Sequence, residues 1–227
     1  MESLKRRLKY YGIGFGFGVL FLVFFFQNRG CSWLPGNRVK NSIMDRLIVV
    51  SEDTQKKMDE KGLSTDDLVM VLNDGDVDFS GSDKDKKSKI YILEKEGVKF
   101  AFTLPYESFI SEAFVGVKNA NIKPSESGYG DILHFPVDEH LVFPDSTDLM
   151  TCQQDQLGLI SPKKILDLLN ESGKIDFAKS DFSVRPKPVH YLVFEKDGKE
   201  IGAKVIWYKN KLNITSFEAE GLEDCLE

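Results

Sequence analysis

Apolar and polar positions along this chain follow a pattern that is written twice. Ser64-Thr-Asp-Asp-Leu-Val-Met-Val-Leu-Asn73 leads into Val77-Asp78-Phe79 and then Ser82-Asp83. Ser161-Pro-Lys-Lys-Ile-Leu-Asp-Leu-Leu-Asn170 leads into Ile175-Asp176-Phe177 and then Ser180-Asp181. Matched positions lie 97 residues apart at Ser64/Ser161 and 98 apart at Asp78/Asp176. A period this long marks two copies of a small domain, not a solenoid repeat.

In the first copy, Leu47-Ile-Val-Val50 is a short buried strand and Ser51 caps a polar helix that Gly62 stops. Ser64 caps the next helix, with Asp66 and Asp67 in the first turn where they complement the helix dipole. Leu68, Val71 and Leu72 form its apolar stripe. Strands follow at Val77–Phe79, Ile90–Leu93, Val98–Leu104 and Phe109–Val117, the middle pair joined by a tight Lys95-Glu-Gly97 turn. In the second copy, Leu141-Val-Phe143 takes the place of the first strand, and Ser146 or Thr147 caps a helix ending at Gly158. Ser161 and Pro162 open the next helix, with Ile165, Leu168 and Leu169 facing inward. Ile175–Phe177, Tyr191–Phe194, Ile201–Trp207 and Leu212–Phe217 are its strands.

Ahead of both copies, Tyr10 to Phe26 carries no charge and is rich in Phe and Gly. Seventeen helical residues rise about 26 Å, at the lower limit for a roughly 30 Å hydrocarbon core. Lys5, Arg6, Arg7 and Lys9 precede it, as on a cytoplasmic flank. The expectation is a retained transmembrane helix over 10–28, with the bulk of the chain in the periplasm beyond a bacterial inner membrane. A lipoprotein with Cys31 as the lipidation site is the alternative. Gly12, Gly14, Gly16 and Gly18 form two Gly-xxx-Gly pairs that suit helix self-association.

The expected organisation is a basic tail (1–9), the span (10–28), a neck (29–44), a first α+β unit (45–118), a linker (119–138), a second unit (139–220) and a tail (221–227). Hydrophobic residues make up 41% and charged residues 29%, ordinary values for a folded chain. Residues 1–46 hold eight Lys and Arg against Glu2 and Asp45, so the formal net charge of −6 leaves the remainder at −12. So acidic a body repels nucleic-acid phosphate and excludes nucleic acid as its main partner.

Residues 53–77, Asp53-Thr-Gln-Lys-Lys-Met-Asp-Glu-Lys-Gly-Leu-Ser-Thr-Asp-Asp-Leu-Val-Met-Val-Leu-Asn-Asp-Gly-Asp-Val, resemble a small domain of unknown function related to the RelE/BrnT ribonuclease-toxin fold. The neck Cys31-Ser-Trp-Leu-Pro-Gly-Asn-Arg-Val39 resembles membrane-tethered bacterial members of that family. The resemblance implies two tandem RelE-like strand–helix–helix–antiparallel-sheet units. It implies no ribonuclease activity, because Asp53 stands at the family's His position and Lys57 and Lys61 at its two Arg positions.

Candidate chemistry is sparse. Asp74, Asp76, Asp78 and Asp85 alternate as in a calcium loop, but Phe79 replaces the loop glycine and the second copy lacks the acids. His134, Asp138, Glu139 and His140 include metal-ligand types, with Pro136 breaking any helix that could align them. His190 precedes an apolar strand and reads as a structural histidine. Cys152 and Cys225 are a disulfide candidate. No catalytic residue and no cofactor is assigned. The resulting expectation is a membrane-anchored envelope protein with a non-catalytic tandem module that binds an envelope protein partner. The alternatives are an envelope hydrolase or degenerate ribonuclease with its site between the copies, and a calcium-binding adhesive module.

Overall fold

The computed structural model describes residues 10–12, 14–19, 34–85, 88–105, 108–117, 119–136, 138, 140–222 and 225. The chain divides into two units, Met1–Arg38 and Val39–Glu227. After a helix α1 (Pro35–Met44), the first repeat runs β1 (Leu47–Ser51), α2 (Glu52–Glu60), α3 (Thr65–Asp74), β2 (Asp76–Asp83), β3 (Ser88–Lys95), β4 (Val98–Pro105) and β5 (Ile110–Val115). A further strand, β6 (Tyr129–His134), precedes the second repeat. That repeat runs β7 (Val142–Pro144), α4 (Asp148–Leu157), α5 (Pro162–Ser172), β8 (Lys174–Asp181), β9 (Val189–Lys196), β10 (Lys199–Tyr208) and β11 (Lys211–Ala219).

The strands form one mixed sheet in the order β2-β3-β4-β5-β1-β6-β8-β9-β10-β11-β7. The same connection order therefore occurs twice. In each repeat an antiparallel meander of four strands ends beside the repeat's first strand, which lies parallel to its last: β1 on β5 and β7 on β11. β6 pairs antiparallel with β1 on one side and with β8 on the other. The two repeats thus share one continuous sheet, where separate tandem units were expected.

Matched residues perform matched work. Asp78 Oδ1 accepts from the backbone N–H groups of Ser80 and Gly81 at 3.0 and 2.9 Å, and Asp176 Oδ1 accepts from Ala178 and Lys179 at 2.9 and 3.0 Å. Each aspartate closes an Asx turn that bulges its strand. Ser82 Oγ then donates to Asp78 O and accepts from Ile92 N, as Ser180 Oγ does with Asp176 O and Tyr191 N. A serine hydroxyl thus fills the gap that the bulge leaves in each ladder. The repeated Asp-x-x-x-Ser spacing is a backbone device.

The two repeats place their helices on opposite faces of the sheet. Successive β1 side chains alternate: Ile48 and Val50 pack with Met58, Leu68, Val71 and Leu72 of the first repeat's helices. Leu47 and Val49 belong to the cluster holding Met150, Ile165 and Leu169 of the second. β1 is consequently buried at every position. On the first repeat's other face, Ile90, Ile92 and Ala101 are covered by Ala120, Val117 and Ile122 from the segment after β5.

Two of the expected caps form through the side chain, whereas Ser51 and Ser161 stand at the N-cap positions of α2 and α5 without a side-chain cap bond. Ser64 and Asp67 form a reciprocal capping box, Thr147 Oγ1 accepts from Met150 N, and Gly158 ends α4 at φ 61°. The hairpin turns Glu96-Gly97 and Asp197-Gly198 lie at positive φ, as a type I′ turn needs. Gly75 and Gly173, at the junctions from helix to strand, have ordinary negative φ but no room for a side chain. A Cβ there would lie 2.3 Å from Val71 O and 2.2 Å from Leu169 O.

The N-terminal expectations are corrected. Among the described residues no helix is long and apolar enough to cross a membrane, so the transmembrane helix at 10–28, the single-pass inner-membrane topology and the periplasmic placement built on it fall. Residues 10–12 and 14–19 are helical and exposed. Glycines at every second position cost such a helix about 1 kcal/mol each relative to alanine. The self-association expected through Gly12, Gly14, Gly16 and Gly18 was built on the transmembrane span and falls with it. The rest of the segment and Cys31, the lipoprotein candidate, lie outside the described residues.

The junction glycines generate a test. Gly75→Ala and Gly173→Ala should each lower stability by about 1–3 kcal/mol, because the new methyl forces a backbone shift. A urea melt of each variant with unchanged slope and a lower midpoint is the expected result.

Candidate functional site

The loop from β4 to β5 carries the first repeat into the core of the second. Phe109 is 2% exposed, with its ring stacked on Trp207 at 5.2 Å and edge-on to the His190 ring at 4.6 Å. Arg46 pins this loop by donating to Pro105 O and Ser108 O. Beside the loop, across the seam between the repeats, lies a cavity of about 280 Å³. Its walls come from β3, β4 and β5, the 124–126 segment, and Phe177 and Phe182 of the second repeat.

Local irregularity opens the wall. The β4–β5 ladder is regular at Phe100↔Val115, Ala101↔Phe114 and Phe102↔Ala113. Beyond it the Thr103 hydroxyl, not a backbone carbonyl, accepts from Glu112 N at 2.9 Å, and Ser111 Oγ donates to Thr103 O at 2.7 Å. Glu112 lies on the cavity side and is 2% exposed. Its carboxylate accepts from Ser125 N at 2.8 Å and Ser125 Oγ at 2.5 Å. Burial raises its pKa above the usual carboxylate value, and these bonds oppose the rise. Ser88 Oγ, in the same lining, is buried with no hydrogen-bond partner among the described residues.

Across β6, Gly130 makes room for Phe177. A Cβ at Gly130 would lie 2.9 Å from the Phe177 ring, so the ring can lie flat over the seam strand and face the cavity. Apolar Ile110, Pro105, Pro124 and the two phenylalanines surround the polar atoms. Among the described residues, Glu112 and Glu126 are the charged members of the lining, with no Lys, Arg or His beside them.

His190 adjoins the cavity through Ser108 and Phe182. Its Nε2 lies 3.3 Å from Ser108 Oγ, and Phe182 meets its ring edge-on at 5.1 Å. Burial alone pushes its pKa down to about 3, so the ring is neutral at neutral pH. Ser108 Oγ also accepts from Ile110 N at 3.1 Å, and His190 Nδ1 has no partner among the described residues. A serine and histidine at this distance suggest a nucleophile and base. Here the base is hard to protonate, and among the described residues no carboxylate orients it.

The other candidates are dispersed. Asp78 is engaged by Ser80 and Gly81, whose hydrogen bonds hold its carboxylate below the usual range. Asp76 pairs with Glu94 across the ladder, and Asp85 donates its N–H to Asp83 instead of joining Asp74. His134 Nε2 lies 3.1 Å from Met44 O, and Asp138 binds Lys211 at 2.9 Å and His140 N at 2.8 Å. Glu139 lies outside the described residues. Among the described residues no group of His, Cys, Asp and Glu could hold a metal ion. Cys152 and Cys225 are bonded to each other, with Cα atoms 6.0 Å apart. A second cavity of about 330 Å³ lies near that bond, where Lys196 is already paired with Asp197 at 3.0 Å.

Comparison with protein families, with curated proteins and with solved structures finds no match. With no membrane-crossing helix among the described residues either, the membrane-tethered RelE/BrnT-like assignment is withdrawn. So is the function built on it, an anchored envelope module with an envelope partner. The hydrolase, ribonuclease and calcium-adhesive alternatives likewise find no supporting site.

His190 supplies a pH test. A histidine whose folded value lies near 3 and whose unfolded value is 6.5 binds its proton more readily when unfolded. Stability is therefore complete above about pH 6.5 and falls toward pH 3, by up to about 1.4 kcal/mol per unit. His190→Phe should flatten the slope between pH 6.5 and 4.5 in denaturant titrations. An unchanged slope would count against the buried neutral ring.

Proposed function

We propose that the duplicated fold serves as a binding protein for a small molecule, received in the cavity at the seam between the repeats. The observation that carries this reading is the cavity's lining: apolar walls around a few buried polar groups, one of them a hydroxyl without a partner among the described residues. Ligand pockets have this composition, and they favour the junctions between structural units. The volume of about 280 Å³ is near the lower end of the roughly 300–1,000 Å³ range of such pockets, which suits a small ligand.

A fragment screen by thermal shift and by ligand-observed NMR tests the reading. A fragment present at a hundred times its Kd should stabilise the fold by about 2.7 kcal/mol. Pro124→Trp, which places a large side chain at the rim, should abolish that binding while leaving the free protein's melting temperature nearly unchanged. Hits that bind the Trp variant as tightly as the parent would place binding elsewhere.

A further inference from the structure

Three places invite a further reading. One is the uncovered sheet face of the second repeat, where Tyr191 donates to Glu218 at 2.8 Å and Lys204 pairs with Glu218 at 2.7 Å. Its charges are already partnered. The second is the cavity near Cys152–Cys225, where Lys196 is paired too. The third is the seam cavity, whose polar groups are incompletely used.

We propose that the ligand of the seam cavity is a small organic amine with an apolar body, recognised by the Glu112 carboxylate and the Ser88 hydroxyl. This inference rests on the binding function proposed above and adds the ligand's chemical class. Three observations carry it. Among the described residues the lining holds Glu112 and Glu126 and no cationic side chain, so these carboxyl groups favour a positive ligand and disfavour an anion. Ser88 Oγ is buried there without a partner among the described residues, and a buried hydroxyl left unpaired costs about 1–3 kcal/mol that a ligand's donor or acceptor can recover. Glu112 accepts two hydrogen bonds from Ser125, with the Ser51 hydroxyl a further partner, while a carboxylate has about four acceptor sites. Ile110, Pro105, Phe177 and Phe182 supply the apolar surface for the body. An ammonium on a carboxylate adds the attraction of two opposite charges to a charge-assisted hydrogen bond, and an alcohol of the same shape brings the hydrogen bond without the positive charge.

The test uses three probes with the same phenylethyl body on the full chain: 2-phenylethylamine, 2-phenylethanol and 3-phenylpropionate. Titrations followed by amide NMR should show the amine moving Ile110, Glu112 and Ser125 and binding at least tenfold more tightly than the alcohol, with the carboxylate weakest. Glu112→Gln, which keeps an oxygen for Ser125 N, should remove that preference and leave the alcohol's affinity alone. The pH profile gives a second readout that needs no variant. Amine affinity should rise as pH increases through the raised Glu112 pKa and the carboxylate forms, with the alcohol's affinity flat. An alcohol that binds as tightly as the amine at every pH overturns the ligand class and leaves the cavity as a binding site. An amine that shifts only amides remote from the seam overturns both, and an amine that does not bind overturns the class assignment.

Discussion

Everything in this architecture depends on β6 satisfying two sheet edges at once. An exposed edge is a row of unpaired N–H and C=O groups, a template for unwanted pairing. Each repeat alone would present such an edge, at β1 in the first and at β8 in the second. β6 closes both: it pairs with β1 at Ile48↔His134, Val50↔Asp131 and Ser51↔Gly130, and with β8 at Tyr129↔Asp176, Gly130↔Ile175 and Asp131↔Lys174. Phe177 N donating to Gly128 O at 3.0 Å extends the second contact. The remaining edges are defended differently. β2 is bulged and carries Asp76, Asp78 and Asp83, and β7 is three residues long and ends at Pro144.

That constraint also accounts for the faces. With β6 antiparallel to both neighbours, β1 and β8 run the same way. The parallel partner strands then run in opposite directions in the two repeats while the left-to-right order is kept. Such a relation turns one repeat over with respect to the other, so their helices must lie on opposite faces. The cavity is one consequence. Where the first repeat's back face meets the second repeat's helix-covered face, neither helix pair covers the seam, and Phe177, Phe182 and the 124–126 segment fill it only in part.

Much of this is legible in the sequence, wherever one local interaction decides the outcome. Ser64 and Thr147 cap because their hydroxyls reach a backbone N–H three residues on. Glu96-Gly97 and Asp197-Gly198 turn because glycine tolerates positive φ. Strand β6 is hidden, because Gly128 and Gly130 read as loop punctuation in the expected 119–138 linker. Gly130 is there for another reason, the Phe177 ring that lies against it. The seam cavity is hidden for a different cause. Ser88, Glu112, Ser125 and Phe182 come from four separated stretches, and no spacing rule joins them. Glu112 carries one retrospective signal, a lone charged residue in a largely buried strand beside Ser111, Ala113 and Ile110.

The departures from symmetry show where the two repeats have taken on different tasks. Register makes the comparison direct: Asp78↔Ile92, Ile92↔Ala101 and Ala101↔Phe114 in the first repeat correspond to Asp176↔Tyr191, Tyr191↔Lys204 and Lys204↔Ser216 in the second. The apolar set lies under the segment after β5, while the polar set has no such cover and supplies its own. Tyr191 lies over Gly202, where a Cβ would come 1.9 Å from its hydroxyl, and Lys179 sits 4.5 Å above the ring. The Tyr191 ring covers Gly202, while the Lys204–Glu218 pair and the Lys179 ammonium stay solvent-exposed on this face. The first repeat, by contrast, uses the connecting segment as its cover, and Ser125 on that segment is what Glu112 holds. The chain between the repeats therefore acts as both the cover of one sheet face and the wall of the seam cavity. A group that competes with Ser125 for Glu112 acts on the same segment that leads into β6.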